Sequence, residues 1–174
     1  MIARIHDWDC RLTRRIGGLR LPTAYRRALR WFVRLGDGWI WIPIVGAILL
    51  ARPLPQARSI LGHGIAVLGI SLALYWPLKL KVRRPRPCHR FPGVAAEVPP
   101  LDRFSFPSGH VMHNLAVGLT VAHYFPPTST WLVAAPLAWG LMRIHFGVHF
   151  LGDILVGAVL GVGSFALARW AILP

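Results

Sequence analysis

At 174 residues the chain has room for one domain and little more. Hydrophobic residues make up 55% of it and charged residues only 15%, well below the usual quarter of soluble proteins, which points to a membrane. The net charge of +14 would suit nucleic acid, but such proteins do not carry a run like 104–142, which has no Asp, Glu, Lys or Arg, so anionic lipid or an anionic substrate is the expected partner.

The first 37 residues carry nine arginines and lack the apolar core of a cleavable signal peptide. Ile2, Ile5, Trp8, Leu12, Ile16 and Leu19 recur between those arginines at helical spacing, which predicts an amphipathic helix lying on the membrane surface. Five apolar segments follow: Gly38–Ala51, Ser59–Leu78, His110–Phe125, Ser129–Met142 and Ile154–Leu173. The second and fifth reach the roughly 20 residues that a crossing helix needs. The others borrow residues at their ends, where Trp39, Trp41, Tyr124 and Trp131 suit the interface. Breaks fall at 52–55, 79–103 and 126–127. The expectation is an all-α integral membrane bundle of five crossings, forming one domain over 1–174, with 1–37 as a basic interfacial segment and 38–174 as the catalytic bundle. Cys10 and Cys88 are too few for a disulfide framework and read as incidental.

If the segments cross alternately, the second ends, the third begins, the fourth ends and the fifth begins on one membrane face. Each of those points carries a polar cluster. The run KLKVRRPRPCHR (79–90) is cationic, and Pro85 and Pro87 fix its backbone so that Arg86 is aimed; alone it reads equally well as a headgroup anchor. Ser108, Gly109 and His110 open a helix, so Ser108 is a candidate N-cap, the free N–H groups form an anion site, and Gly109 lets an oxyanion approach the backbone. In RIHFGVHFLGD (143–153), His149 and Asp153 are four apart, so the carboxylate can fix the imidazole tautomer. A structural ion pair of Asp153 with Arg143 is the plainer account of that cluster. Taken together, cations, a helix start and two histidines suit phosphoryl transfer, in which Arg86 and Arg143 position the group, one imidazole attacks and the other protonates the departing oxygen.

These residues resemble the type 2 phosphatidic acid phosphatases, whose signature is a Lys, six residues and Arg-Pro; a Pro-Ser-Gly-His; and a Ser-Arg, five residues, His, three residues, Asp. Lys79 with Arg86-Pro87, Pro107-Ser108-Gly109-His110, and Arg143, His149 and Asp153 match in order. The resemblance implies that His149 is a nucleophile oriented by Asp153, that His110 is the general acid, and that Lys79, Arg86, Ser108, Gly109 and Arg143 hold the phosphate, with no metal or other cofactor. Met142 stands where the family usually has serine, and members often have six crossings.

Three rivals remain. His145, His149 and Asp153, with His110 and His113 nearby, could form a zinc site, although the surrounding cations oppose it; on the main reading His113 and His145 are supporting or interfacial residues. The resemblance also extends to soluble vanadium haloperoxidases, against which the apolar segments argue, and a non-catalytic lipid-binding protein would keep its ligand after His149→Ala. The substrate expected is a lipid phosphate or pyrophosphate, first undecaprenyl pyrophosphate, with phosphatidylglycerol phosphate and phosphatidic acid as alternatives and lipid A also possible. The resemblance implies a multi-pass protein of the inner membrane with an outward-facing site. The arginine-rich N-terminus, by the positive-inside rule, argues for a cytoplasmic one.

Overall fold

The computed structural model describes residues 2–19, 21–92, 94 and 96–171, with side chains from residue 6 onward. The expected interfacial positions Ile2 and Ile5 (as side chains) and the end of the last segment at Leu173 lie outside the described residues. The helices are α1 (Ile2–Gly17), α2 (Thr23–Arg34), α3 (Trp41–Ala51), α4 (Leu54–Val82), the single-turn α5 (Pro87–Arg90), α6 (Gly109–Tyr124), α7 (Ser129–His145) and α8 (Leu151–Ala171). No strand occurs among the described residues, so the all-α expectation holds.

By length and composition, α4 and α8 each suffice to cross a membrane. The stretch Leu35–Trp39 joins α2 to α3 through a kink at Gly38, and the pair bends by 56° to make a third candidate crossing. Gly38 makes that bend possible, because its φ of 115° is a conformation that side chains resist. Helices α6 and α7, with 16 and 17 residues, fall short of the roughly 20 that a full crossing takes. Among the described residues, two helices, or three with the bent pair, are long and apolar enough for a full-length crossing.

α6 is the central helix, buried on nearly every side. Small residues bring its neighbours close, as apolar surroundings favour. A Cβ on Gly118 would lie 2.6 Å from Leu132 O, one on Gly157 2.8 Å from Ser108 O, and one on Gly161 2.7 Å from Met112 O. α1 is amphipathic, as expected, and one of its faces packs on the bundle. Trp8 and Leu19 are exposed, whereas Ile16 packs against Val111, Ile144 and Ile154, and Asp9 and Thr13 are buried against the bundle.

α4 ends because Arg83 turns left-handed (φ 48°, ψ 37°) and Pro85 and Pro87 follow, which cannot continue a helix. α7 ends at Gly147, with φ of 69°, which reverses the chain into 148–150. Cys88 N donates to Gly147 O at 2.9 Å, so the arginine-proline segment is stitched to this reversal. The ends of α4 and α7 and the starts of α6 and α8 thus meet, as alternate crossing requires.

Candidate active site

His149 sits on the loop between α7 and α8, buried at 2% exposure. Its two ring nitrogens face different partners. Nδ1 lies 3.5 Å from Asp153 Oδ2, close enough for an ion pair but without the alignment of a hydrogen bond among the described residues. Nε2 faces Arg86 Nη1 at 3.5 Å. Burial pushes the imidazole down to about 3, against the pull of Asp153, with Arg86 and Arg143 adding to the lowering. The ring is therefore neutral at ordinary pH, with a lone pair available at Nε2.

Lys79, Arg86 and Arg143 are each 2% exposed or less, and carboxylates hold all three. Lys79 Nζ donates to Asp102 Oδ2 at 2.7 Å and to Tyr75 OH at 2.5 Å. Arg86 Nη2 donates to Asp102 Oδ1 at 2.8 Å, and its Nη1 donates to Val148 O at 2.8 Å. Burial alone would raise the Asp102 carboxyl, but the bonds from Lys79 and Tyr75 and the charge of Arg86 bring it down to about 2. Arg143 Nη1 lies 3.6 Å from Asp37 Oδ1.

His110 Nε2 contacts both Arg143 Nη1, at 2.8 Å, and Asp37 Oδ1. When that nitrogen carries a proton, Asp37 can accept from it; when it does not, Arg143 can donate to it. A group that must give and regain a proton thereby has a partner in each state. Asn114 keeps this corner together. Its Nδ2 donates to Gly36 O at 2.9 Å and to His110 O at 2.8 Å, and its Oδ1 accepts from Trp41 Nε1 at 2.8 Å.

Ser108 occupies the N-cap position of α6, but its hydroxyl makes no capping bond. The buried Oγ has no partner among the described residues. Capping is thus corrected: the adjoining glycine seam with Gly157 holds this backbone, and the hydroxyl stays available. Gly109 packs against the Tyr75 ring, which a Cβ would approach to 3.0 Å. Met142 packs with Val33, Val98, Phe146 and Val148, in a hydrophobic cluster. Cys10 and Cys88 are free thiols.

All eight residues singled out by sequence, Lys79, Arg86, Ser108, Gly109, His110, Arg143, His149 and Asp153, come to this one end of the bundle. Of the other two histidines weighed for zinc, His113 lines the same cavity but is held by α4, and His145 turns toward α1. His113 Nδ1 pairs with Ser71 Oγ at 2.8 Å, and His145 Nδ1 donates to Ile16 O at 3.0 Å. Among the described residues no three His, Cys, Asp or Glu side chains are grouped to hold a metal, so the cluster suggested by the four-residue spacing does not assemble.

Sequence reading missed Asp9, Asp37, Tyr75, Arg84 and Asp102. A signal was present. The chain has only six acids against twenty Lys and Arg, so each acid is a scarce partner, and Asp37 is the single charge between Arg34 and Arg52.

A cavity of about 610 Å³ opens from this polar end, where Asp37, Arg86, Asp102, His110 and His149 line it. It continues as an apolar groove between α3, α4 and α6, along Ile44, Ile48, Ile60, Leu68, Leu72 and Val117. From Ile60 to Trp76 the wall of α4 runs roughly 24 Å at 1.5 Å per residue, most of the depth of a bilayer core. Ile65 lines the groove yet is 72% exposed, so the groove is open sideways to lipid.

Residues 61–173 match the PAP2 superfamily. The decaprenylphosphoryl-5-phosphoribose phosphatase of Mycobacterium tuberculosis is 33% identical over 143 residues, covering 79% of this chain and 73% of that protein. The crystal structure of Aquifex aeolicus LpxE superposes with a TM-score of 0.75 at 25% identity, covering 92% of this chain and 93% of that one. The PAP2-type phosphatidylglycerolphosphate phosphatase of Bacillus subtilis shares the fold, with a TM-score of 0.72 at 22% identity over 96% of this chain and 85% of that one.

Proposed function

Since the chain belongs to the PAP2 superfamily and is a membrane-embedded phosphatase of lipid phosphates, we propose that it hydrolyses a polyprenyl-linked phosphate or pyrophosphate, undecaprenyl pyrophosphate first, through a phosphohistidine at His149. The observation that carries this reading is the groove, apolar along the bilayer depth and capped by cations and two histidines. A long single tail suits it, and the Mycobacterium tuberculosis relative is named for a decaprenyl-linked substrate.

In the mechanism, His149 Nε2 attacks phosphorus while Lys79, Arg86, Arg143, the Ser108 hydroxyl and the Gly109 backbone hold the equatorial oxygens and offset their charge. The bond to the leaving oxygen breaks, and that oxygen takes the proton of His110 Nε2. Asp153 stabilises the charge that develops on the His149 ring. Water then attacks the phosphohistidine and gives its proton back to His110; the P–N bond breaks and orthophosphate leaves. None of these steps calls for a metal. Phosphatidylglycerol phosphate and phosphatidic acid are the runner-up substrates, since the same polar end would hold their phosphates.

We place the protein in the inner membrane with this end outward, the sidedness that the family resemblance implies. Cys10 and Cys88 are both partly exposed, and they follow Asp9 of α1 and the Arg86-Pro87 pair. A membrane-impermeant maleimide that labels them in intact cells supports the placement, and labelling only after lysis reverses it.

The deciding experiment measures phosphate release in detergent with EDTA from undecaprenyl pyrophosphate, phosphatidylglycerol phosphate and phosphatidic acid. Release is expected to be fastest from the polyprenyl substrate, and His149→Ala to lose at least about 10³-fold. Release that needs added metal, or that survives in His149→Ala, would overturn the mechanism. Faster release from either glycerolipid would overturn the substrate.

A further inference from the structure

α1 carries a carboxylate that a surface helix has no need to bury. Asp9 is 6% exposed. Its Oδ2 accepts from Arg84 Nη2 at 2.7 Å, and its Oδ1 accepts from Gly152 N, in the first turn of α8, at 3.0 Å. The other arm of Arg84 donates from Nη1 to Asp153 Oδ1 at 2.8 Å, and its guanidinium lies 3.7 Å from the centre of the Phe150 ring. Asp153 Oδ2 accepts from Phe150 N at 2.8 Å. Both oxygens of Asp153 are thus engaged by Arg84 and by backbone, and those two bonds set the angle at which it meets His149. A planar guanidinium between two carboxylates transmits position well, because its donors are fixed relative to one another.

We propose that Asp9 and Arg84 are positioning residues for the nucleophile, so that the seating of α1 on the bundle sets the orientation of Asp153 and, through it, of His149. The inference rests on the reading of His149 as nucleophile. A second observation supports a close seat: a Cβ on Gly152 would lie 3.0 Å from Asp9 Oδ2 and 3.6 Å from Arg84 Nη1. His145, bonded to Ile16 O, pins the other end of α1 to α7. The competing account is a staple that merely holds α1 in place, which would affect stability and leave turnover per folded molecule unchanged.

The test uses the full-length protein in detergent, with undecaprenyl pyrophosphate and dioctanoyl phosphatidic acid as probes. Single-turnover phosphoenzyme formation, KM and thermal midpoint are measured together. Arg84→Ala and Asp9→Ala are expected to slow phosphoenzyme formation by about 10- to 100-fold, the cost of a misplaced reacting group, with KM changed less than about twofold. The double variant should add little to either single one, because both act on the same link. Gly152→Ala, which displaces Asp9 without removing any charge, should show a smaller loss with the same split and decides the matter if the charge variants do not fold. Folded variants with unchanged turnover, or with KM raised at constant turnover, overturn the proposal. The His149→Ala arm separates the two levels: activity surviving there sinks the nucleophile reading itself, whereas an inactive His149→Ala beside a fully active Arg84→Ala sinks only this inference.

Discussion

At His110 the geometry can be separated into proton transfer and binding. With a donor and an acceptor at one nitrogen, the side chain suits a leaving group that must be protonated. His110→Ala is expected to lose about 10²- to 10⁴-fold on an alkyl phosphate and far less on p-nitrophenyl phosphate, whose phenolate leaves unprotonated. Asp37→Asn should show the same dependence on leaving group more weakly. Equal losses on both substrates would mean that His110 only binds phosphate. The residues of this constellation were legible in sequence wherever chemistry is encoded by short spacing: His149 with Asp153, Ser108 with His110, Lys79 with Arg86. Asp37 was not, because its partner lies 73 residues away, and neither were Asp9 and Arg84, separated by 75. Such pairings are created by helix packing, and no local pattern announces them.

Between elements, the seam of α8 on the start of α6 matters most for the site. Gly157 lets α8 approach Ser108, the N-cap residue of α6, so closely that a methyl group would collide with backbone. Gly157→Ala must therefore move a helix or be expelled, and overpacking of this kind costs about 1–3 kcal/mol. Lower thermal stability with turnover reduced at least as much as by an unrelated seam variant such as Gly161→Ala is the expected result. Equal turnover in the two would show that the Ser108 approach is not needed. Hydropathy revealed α4 and α8 because they are long and apolar, and the shared face followed from alternation. It ended the basic segment at residue 37 and began the first apolar segment at Gly38, and the chain does bend there, at the non-helical Gly38. The kink places Asp37 beside His110.

Over the whole molecule, twenty cations are set against six acids, and five of the acids make ion pairs: Asp9, Asp37, Glu97, Asp102 and Asp153. Glu97, held by Arg26 and Arg30, ties α2 to the loop before α6. Burial would raise its carboxyl, but those arginines keep it below the ordinary range. Asp102 links α4 to the arginine-proline segment in the same way. Its folded value of about 2 lies below the ordinary 3.8, so its contribution, on the order of 2 kcal/mol, is complete above the unfolded value and is lost as pH falls through the folded one. The thermal midpoint should fall between about pH 4 and pH 2 in the native protein, and less steeply in Asp102→Asn; parallel curves would place the acid sensitivity elsewhere.

The same Asp102 bonds bear on how the enzyme lets go. Lys79 and Arg86 already grip a carboxylate at 2.7 and 2.8 Å, so an incoming phosphate gains only the difference between its own contacts and those it replaces. On the proposed mechanism, product departure would be the reverse exchange, with Asp102 returning as orthophosphate leaves. Such a built-in competitor would keep product inhibition weak without weakening a transition state that carries more charge than either ground state. Asp102→Asn should then be inhibited by lower orthophosphate concentrations than the native enzyme; an unchanged or higher inhibition constant would show that the carboxylate supports the cations without contesting their ligand.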